Sequence, residues 1–198
     1  IIFRKFSNII FSTSILKKYI SKQNQKKVNF NFIFQNFKID KNFHSPKKKF
    51  DIAIYNRNHS TKKNKNFHNL VQSLYKSNLK IIVFGDKFEL KQKKNFIYKG
   101  HVKRKILLNN LKKTKFAINN QENYFSLFAI DSYNSKSIVV SDRETYNIKN
   151  FSKNFLNKNF KDINFKFFKK KKYINNDKKF KDNLRKNNKK IKFILGKI

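Results

Sequence analysis

Lys115-Phe116-Ala117-Ile118, then Gln121-Glu122-Asn123-Tyr124-Phe125-Ser126-Leu127-Phe128-Ala129-Ile130-Asp131, then Ser137-Ile138-Val139-Val140-Ser141: this succession decides the fold. An apolar run of strand length, a longer mixed segment and a second β-branched run have the strand, helix, strand rhythm of a parallel sheet. The spacing predicts a helix over 122–133 between strands at 115–118 and 137–140.

The same rhythm extends upstream. Lys80-Ile81-Ile82-Val83-Phe84 reads as a buried strand that stops at Gly85-Asp86, and Phe96-Ile97-Tyr98 as a short one ending at Gly100. Ile106, Leu107 and Leu111 fall on one face of a helix over 103–113. Before these, Phe50-Asp51-Ile52-Ala53-Ile54-Tyr55 reads as the first strand. Phe67, Leu70, Val71 and Leu74 have the i, i+3, i+4, i+7 spacing of an amphipathic helix over 66–77, which Asn78 closes. Repeated alternation with short connections predicts an α/β fold, a Rossmann-like parallel sheet with helices on both faces.

Ser45-Pro46 followed by Lys47-Lys48-Lys49 punctuates the chain and places a boundary there. The expected organisation is a basic N-terminal extension (1–48), the α/β domain (49–143) and a basic, aromatic-rich C-terminal extension (144–198). Phe30–Ile39 alternates enough to form a strand. After Thr145 the pattern dissolves into Asn, Lys and Phe. Its densest cluster is Phe165-Lys166-Phe167-Phe168-Lys169-Lys170-Lys171-Lys172-Tyr173. Residues 189–198 suit a short strand or helix.

The charge balance restricts the partners. Lys and Arg number 49 against 11 Asp and Glu, giving a net charge of +38, so self-repulsion opposes compaction unless a polyanion neutralises it. Phe supplies 24 residues, interleaved with Lys and Asn. Codon bias toward A and T accounts for much of the Asn and Phe but less well for the missing acids. Lysine beside aromatic and amide side chains suits RNA, where ammonium groups meet phosphates and rings meet exposed bases. A solvated charge run is the plain alternative for such blocks.

Other chemistries have little to work with. The chain has no Cys, hence no disulfide, thiolate nucleophile or cysteine metal site. His44, His59, His68 and His101 lack ligand spacing, and no metal or cofactor is expected. No apolar run approaches the roughly 20 residues that span a bilayer, so no integral membrane contact is expected. Residues 1–39 lack acidic side chains, and 1–20 mix Ile and Phe with Arg4, Lys5, Lys17, Lys18 and serines. That composition fits a mitochondrial transit peptide or, equally, a basic arm within a ribonucleoprotein. The absence of Met even at position 1 points to a processed or incomplete start or an unusual initiator.

In its ordered motifs, 51–142 resembles the donor-binding half of a GT-B glycosyltransferase of the retaining, nucleotide-sugar-dependent type. Tyr55-Asn56-Arg57 and Lys65-Asn66-Phe67 stand where that family places cations facing the donor diphosphate. Ile82-Val83-Phe84-Gly85-Asp86 matches a strand ending in Gly-Asp or Gly-Gly. Tyr98-Lys99-Gly100-His101-Val102 matches a short strand, Gly and helix. The segment from Glu122 to Asp131, with Ser137 to Ser141, matches a Glu-containing helix leading to a Pro-Val-Val-like strand.

The resemblance implies donor-binding roles for Arg57, Lys65, Gly100 and Glu122, and the departures from the family pattern make those roles vestigial. The second Glu that the family places eight residues after the first is Ile130 here. Asp131 follows one residue late, about 100° around the helix. Asn56 and Lys136-Ser137 stand where glycines would admit a diphosphate to the backbone. Residues 1–48 are too few for an acceptor domain, so the module is read as a relic without the second half of an active site.

The expectation is a structural protein of a mitochondrial ribosome, located in the matrix, with an inactive glycosyltransferase-like domain. Ribosomal RNA and other ribosomal proteins are the expected partners, with no small-molecule substrate. RNA contacts are expected from Arg4, Lys5, Lys17, Lys18, Lys26 and Lys27, from Lys47, Lys48, Lys49, Lys62 and Lys63, and from Lys169, Lys170, Lys171, Lys172, Arg185, Lys189 and Lys190. The alternatives are an active glycosyltransferase or a subunit of one, using Arg57, Lys65 and Glu122, and a peripheral protein on an anionic membrane held by basic amphipathic ends.

Overall fold

The computed structural model describes residues 9–11, 28–30, 46–57, 65–119, 126–142 and 152–174, together with isolated helical positions at 178, 182, 185, 186 and 189. The chain divides into two units, Phe37–Asp177 and a second one made of Ile1–Asn36 with Lys178–Ile198. In the second unit, β1 (Ile9–Phe11) pairs in parallel with β2 (Val28–Phe30), Ile9 opposite Val28 and Phe11 opposite Phe30. The expected strand at Phe30–Ile39 overlaps β2 only at Phe30, and 31–39 lie outside the described residues.

The larger unit is a six-stranded sheet in the order β5-β4-β3-β6-β7-β8. Its strands are β3 (Phe50–Asn56), β4 (Ile81–Gly85), β5 (Phe96–Gly100), β6 (Thr114–Asn119), β7 (Ile138–Asp142) and β8 (Phe155–Lys158). Every pairing in it is parallel. The helices are α1 (Lys65–Tyr75), α2 (Arg104–Lys112), α3 (Leu127–Asn134) and α4 (Phe165–Lys170), and a 3-10 turn spans Phe160–Asp162. The order reverses between β3 and β6, as in doubly wound folds. A Rossmann-like parallel sheet flanked by helices is therefore present.

The strands read as continuous apolar runs because both of their faces are covered. Alternate residues supply two cores. Ile52, Ile54, Ile81, Val83, Phe116, Ile118, Ile138 and Val140 pack with Phe67, Leu70, Val71 and Leu74 of α1. Ala53, Ile82, Phe84 and Ala117 form the opposite core with Leu111 of α2 and Phe128 of α3. Ala53 lies beside Ala117 in the register, and the small pair lets α3 and its Phe128 approach the sheet. Ser77 closes α1, its hydroxyl donating to the Leu74 carbonyl at 2.6 Å and accepting from the Leu79 amide.

Where the periodicity fades after Thr145, the sheet continues. β8 pairs with β7, Val139 opposite Phe155, and Phe160, Ile163 and Phe168 enter the same core as α1. Asn154, buried, donates to the Ile174 carbonyl and accepts from the Ile174 amide, both at 2.9 Å, and so pins the segment after α4. The described part of α3 begins at Leu127, with Ser126 extended at φ −104°, later than the expected start at 122. In the larger unit, every described phenylalanine except Phe165 and Phe167 is buried. These rings are core rather than an aromatic surface.

Candidate functional site

Open parallel sheets bind ligands at the carboxyl ends of their strands, near the point where the order reverses. Here those ends are knit by short backbone approaches. The Asn56 carbonyl accepts from the Asp86 amide at 2.8 Å, and the Asn56 side chain donates to the Asp86 carbonyl at 2.9 Å. Gly85 turns at φ +87°, and the Tyr98 hydroxyl donates to its carbonyl at 2.6 Å. Burial, then the neighbouring Asp86, pushes the Tyr98 phenol above its ordinary value. Asp86 also meets His101 Nε2 at 2.7 Å.

Beside this knot lies a cavity of about 480 Å³, lined among others by Asn56, Lys65, His68, Lys87, Phe88 and Glu89. Asn56 is only 2% exposed, and among the described residues its Oδ1 has no hydrogen-bond partner. The cavity belongs to the β3–β4 side and to α1. At the reversal itself, the Tyr55 ring at the end of β3 stacks on Phe128 at the start of α3, with centroids 5.3 Å apart. A stacked aromatic pair fills space that glycines leave open where backbone must approach a phosphate.

The three described donor-type positions do not converge. Arg57 follows β3 and is exposed; Lys65 is the first residue of α1 and lines the cavity. Gly100 ends β5, which β4 separates from β3, and its φ of +65° is what requires glycine, since an added Cβ would meet only the Tyr98 ring at 3.8 Å. Glu122 lies outside the described residues. Asp131 is held by Arg104, whose Nη2 and Nε donate to its two carboxylate oxygens at 2.7 and 3.1 Å.

The cations expected to meet RNA separate into distinct environments. Lys47 and Lys49 are exposed. The Lys48 ammonium instead donates to the carbonyls of Lys112 (3.0 Å), Lys136 (3.1 Å) and Ser135 (3.5 Å), at the carboxyl ends of α2 and α3. Burial, with a smaller contribution from Lys136, pulls its pKa down to about 8. Lys169, Lys170, Lys171 and Lys172 are all exposed, as are Arg185 and Lys189. Arg4, Lys5, Lys17, Lys18, Lys26, Lys27, Lys62, Lys63 and Lys190 lie outside the described residues.

Sequence reasoning missed the tethering role of Lys48 and that of Asn56. A lysine inside a Lys-Lys-Lys run carries no local sign of three carbonyl partners. Among the described residues, no group of three His, Cys, Asp or Glu is placed to hold a metal, and no helix is long and apolar enough to cross a membrane. No protein-family model matches the chain, and no curated protein matches it significantly.

Proposed function

We propose that this chain is a structural RNA-binding protein of a mitochondrial ribosome, whose α/β unit supplies shape and whose basic segments contact ribosomal RNA. The observation that carries the reading is the charge: 49 cationic side chains against 11 acidic ones. Asp51 and Asp131 are already paired with Lys115 and Arg104, so few carboxylates remain to offset the exposed lysines. A polyanion supplies the missing counter-charge, with release of condensed counterions as the driving force. The exposed run Lys169–Lys172 beside half-buried Phe165 and Phe167 has the chemistry for phosphate and base contacts.

The glycosyltransferase-like motifs are ancestry in this reading. Two features support an inactive module: the Tyr55–Phe128 stack at the strand-order reversal and the engagement of Asp131 by Arg104. The test is sedimentation of the native protein with ribosomes from an organelle lysate, with and without ribonuclease, across a salt series. Ribonuclease-sensitive co-sedimentation that weakens steeply with salt is expected. A protein that stays free, or follows membranes, overturns the reading. Hydrolysis of a nucleotide sugar that Glu122→Ala abolishes would replace it with the enzymatic alternative.

A further inference from the structure

We infer that the cleft between α1 and α4 seats one unpaired RNA nucleotide. This rests on the RNA-binding reading and gives it a place in the fold. Asn69, Gln72 and Ser73 of α1, with Lys76 in the turn that follows it, have i, i+3, i+4, i+7 spacing and form a polar stripe distinct from the buried stripe of Phe67, Leu70, Val71 and Leu74. Phe165 and Lys169, an i, i+4 pair on α4, form the facing wall. The space between is about 510 Å³, within the ~300–1,000 Å³ range of small-ligand sites.

The lining is selective in kind. It includes Asn69, Gln72 and Asn78, Lys76 and Lys169, and Phe165, and among the described residues no carboxylate. Among the described residues, the side chains of Asn69, Gln72, Lys76 and Asn78 make no hydrogen bond or ion pair, so they are available to a ligand. Phe165 is one of two described phenylalanines in this unit that reach solvent, and the Lys169 ammonium lies 5.6 Å from its ring centroid. One side of the ring packs on the core and the ammonium rests over the ring, so a base stacks there as the exposed Lys169 side chain swings from the ring to the phosphate. Amides that both donate and accept match the edges of a base, which only an unpaired nucleotide presents.

Through Lys169 the cleft leads in sequence to the exposed Lys170-Lys171-Lys172 run, so a strand whose base enters the cleft can continue along those cations. Duplex RNA hides its base faces and meets those cations through phosphates alone. The seat predicts a preference for single strands that bulk charge does not.

The experiment compares binding of the full chain to an unstructured oligouridylate and to a blunt RNA duplex of equal phosphate number, at salt high enough to suppress non-specific attachment. Phe165→Leu keeps an apolar side chain and removes the ring; Asn69→Ala and Gln72→Ala change exposed positions that leave the core intact. Each is expected to weaken single-strand binding, about tenfold for Phe165→Leu, with duplex binding unchanged. Lys76→Ala should lower the single-strand salt slope by about 0.7. If the wild type binds RNA with a steep salt slope and the Asn69 and Gln72 variants bind single strands as it does, the cleft inference falls while the RNA reading stands. If the wild type binds neither RNA, both fall. An acidic peptide that displaces the strand from the wild type but not from Asn69→Ala would reassign the cleft to protein and overturn the inference.

Discussion

The Asn56 carbonyl oxygen occupies the place where Gly85 would carry a Cβ. The same oxygen accepts the Asp86 amide, so its retreat would break that hydrogen bond at the ends of β3 and β4. Gly85 also sits at φ +87°, a conformation L side chains rarely adopt. Gly85→Ala therefore adds backbone strain to a backbone clash, and a loss of about 3 kcal/mol or more is expected. Urea denaturation measures it. A variant within 0.5 kcal/mol, roughly the neutral range for surface changes, would show that the strand ends separate readily.

Lys48 predicts an unusual pH dependence. Its pKa in the folded chain is about 8, against 10.5 for an unhindered lysine. Between those values the unfolded chain binds more protons than the folded one, so stability rises with pH across this window. Below about pH 8 both states hold the proton and Lys48 contributes no slope. Other lysines lose charge in the upper part of the window too, so the comparison is with Lys48→Met, in which the rise beginning near pH 8 should flatten. Denaturation midpoints for both proteins across the window decide the point; parallel curves would place the ammonium in water rather than among the helix-end carbonyls.

Legibility of the fold follows the length of its apolar runs. Ile81–Gly85 and Ile138–Asp142 are fully buried and announce themselves as unbroken hydrophobic segments. α1 declares itself by its single buried stripe. β8, the 3-10 turn and α4 do not, because the sheet and core draw on Phe155, Phe160, Ile163 and Phe168 from three different local geometries, each too short to set a period. The tethering by Lys48 and the cleft are illegible for another reason. A lysine run and a polar helical stripe both read as solvated faces until tertiary neighbours are known. Asp131 was legible only as a displaced carboxylate; its partner is 27 positions away.

The Arg104–Asp131 pair is asymmetric. The aspartate side chain is 6% exposed and the arginine 64%, so truncation from the two sides has different consequences. Arg104→Ala strands a buried carboxylate between α2 and α3, whereas Asp131→Ala leaves a cation that water can solvate. After discounting for the exposed guanidinium, a coupling of about 1 kcal/mol is expected from the double-mutant cycle. Arg104→Ala should also destabilise more than the double variant does. Additive effects would mean that the pair adds nothing beyond packing.

Phe160 tests whether the chain beyond residue 143 is tail or core. Its ring is 1% exposed and lies 6.1 Å from that of Phe67, while Phe168 meets Phe116 edge-on at 5.1 Å. Removing the Phe160 ring opens a cavity under α1, so Phe160→Ala should cost about 3–5 kcal/mol. Lys161, its exposed neighbour, should tolerate alanine within about 0.5 kcal/mol. A chain cut after Asp142 loses β8 as well, exposing the β7 edge and the apolar face beneath α4, and should lose its cooperative thermal transition. If the cut chain instead unfolds cooperatively near the intact midpoint, the buried Phe155, Phe160 and Phe168 are accessory to a core that closes without them.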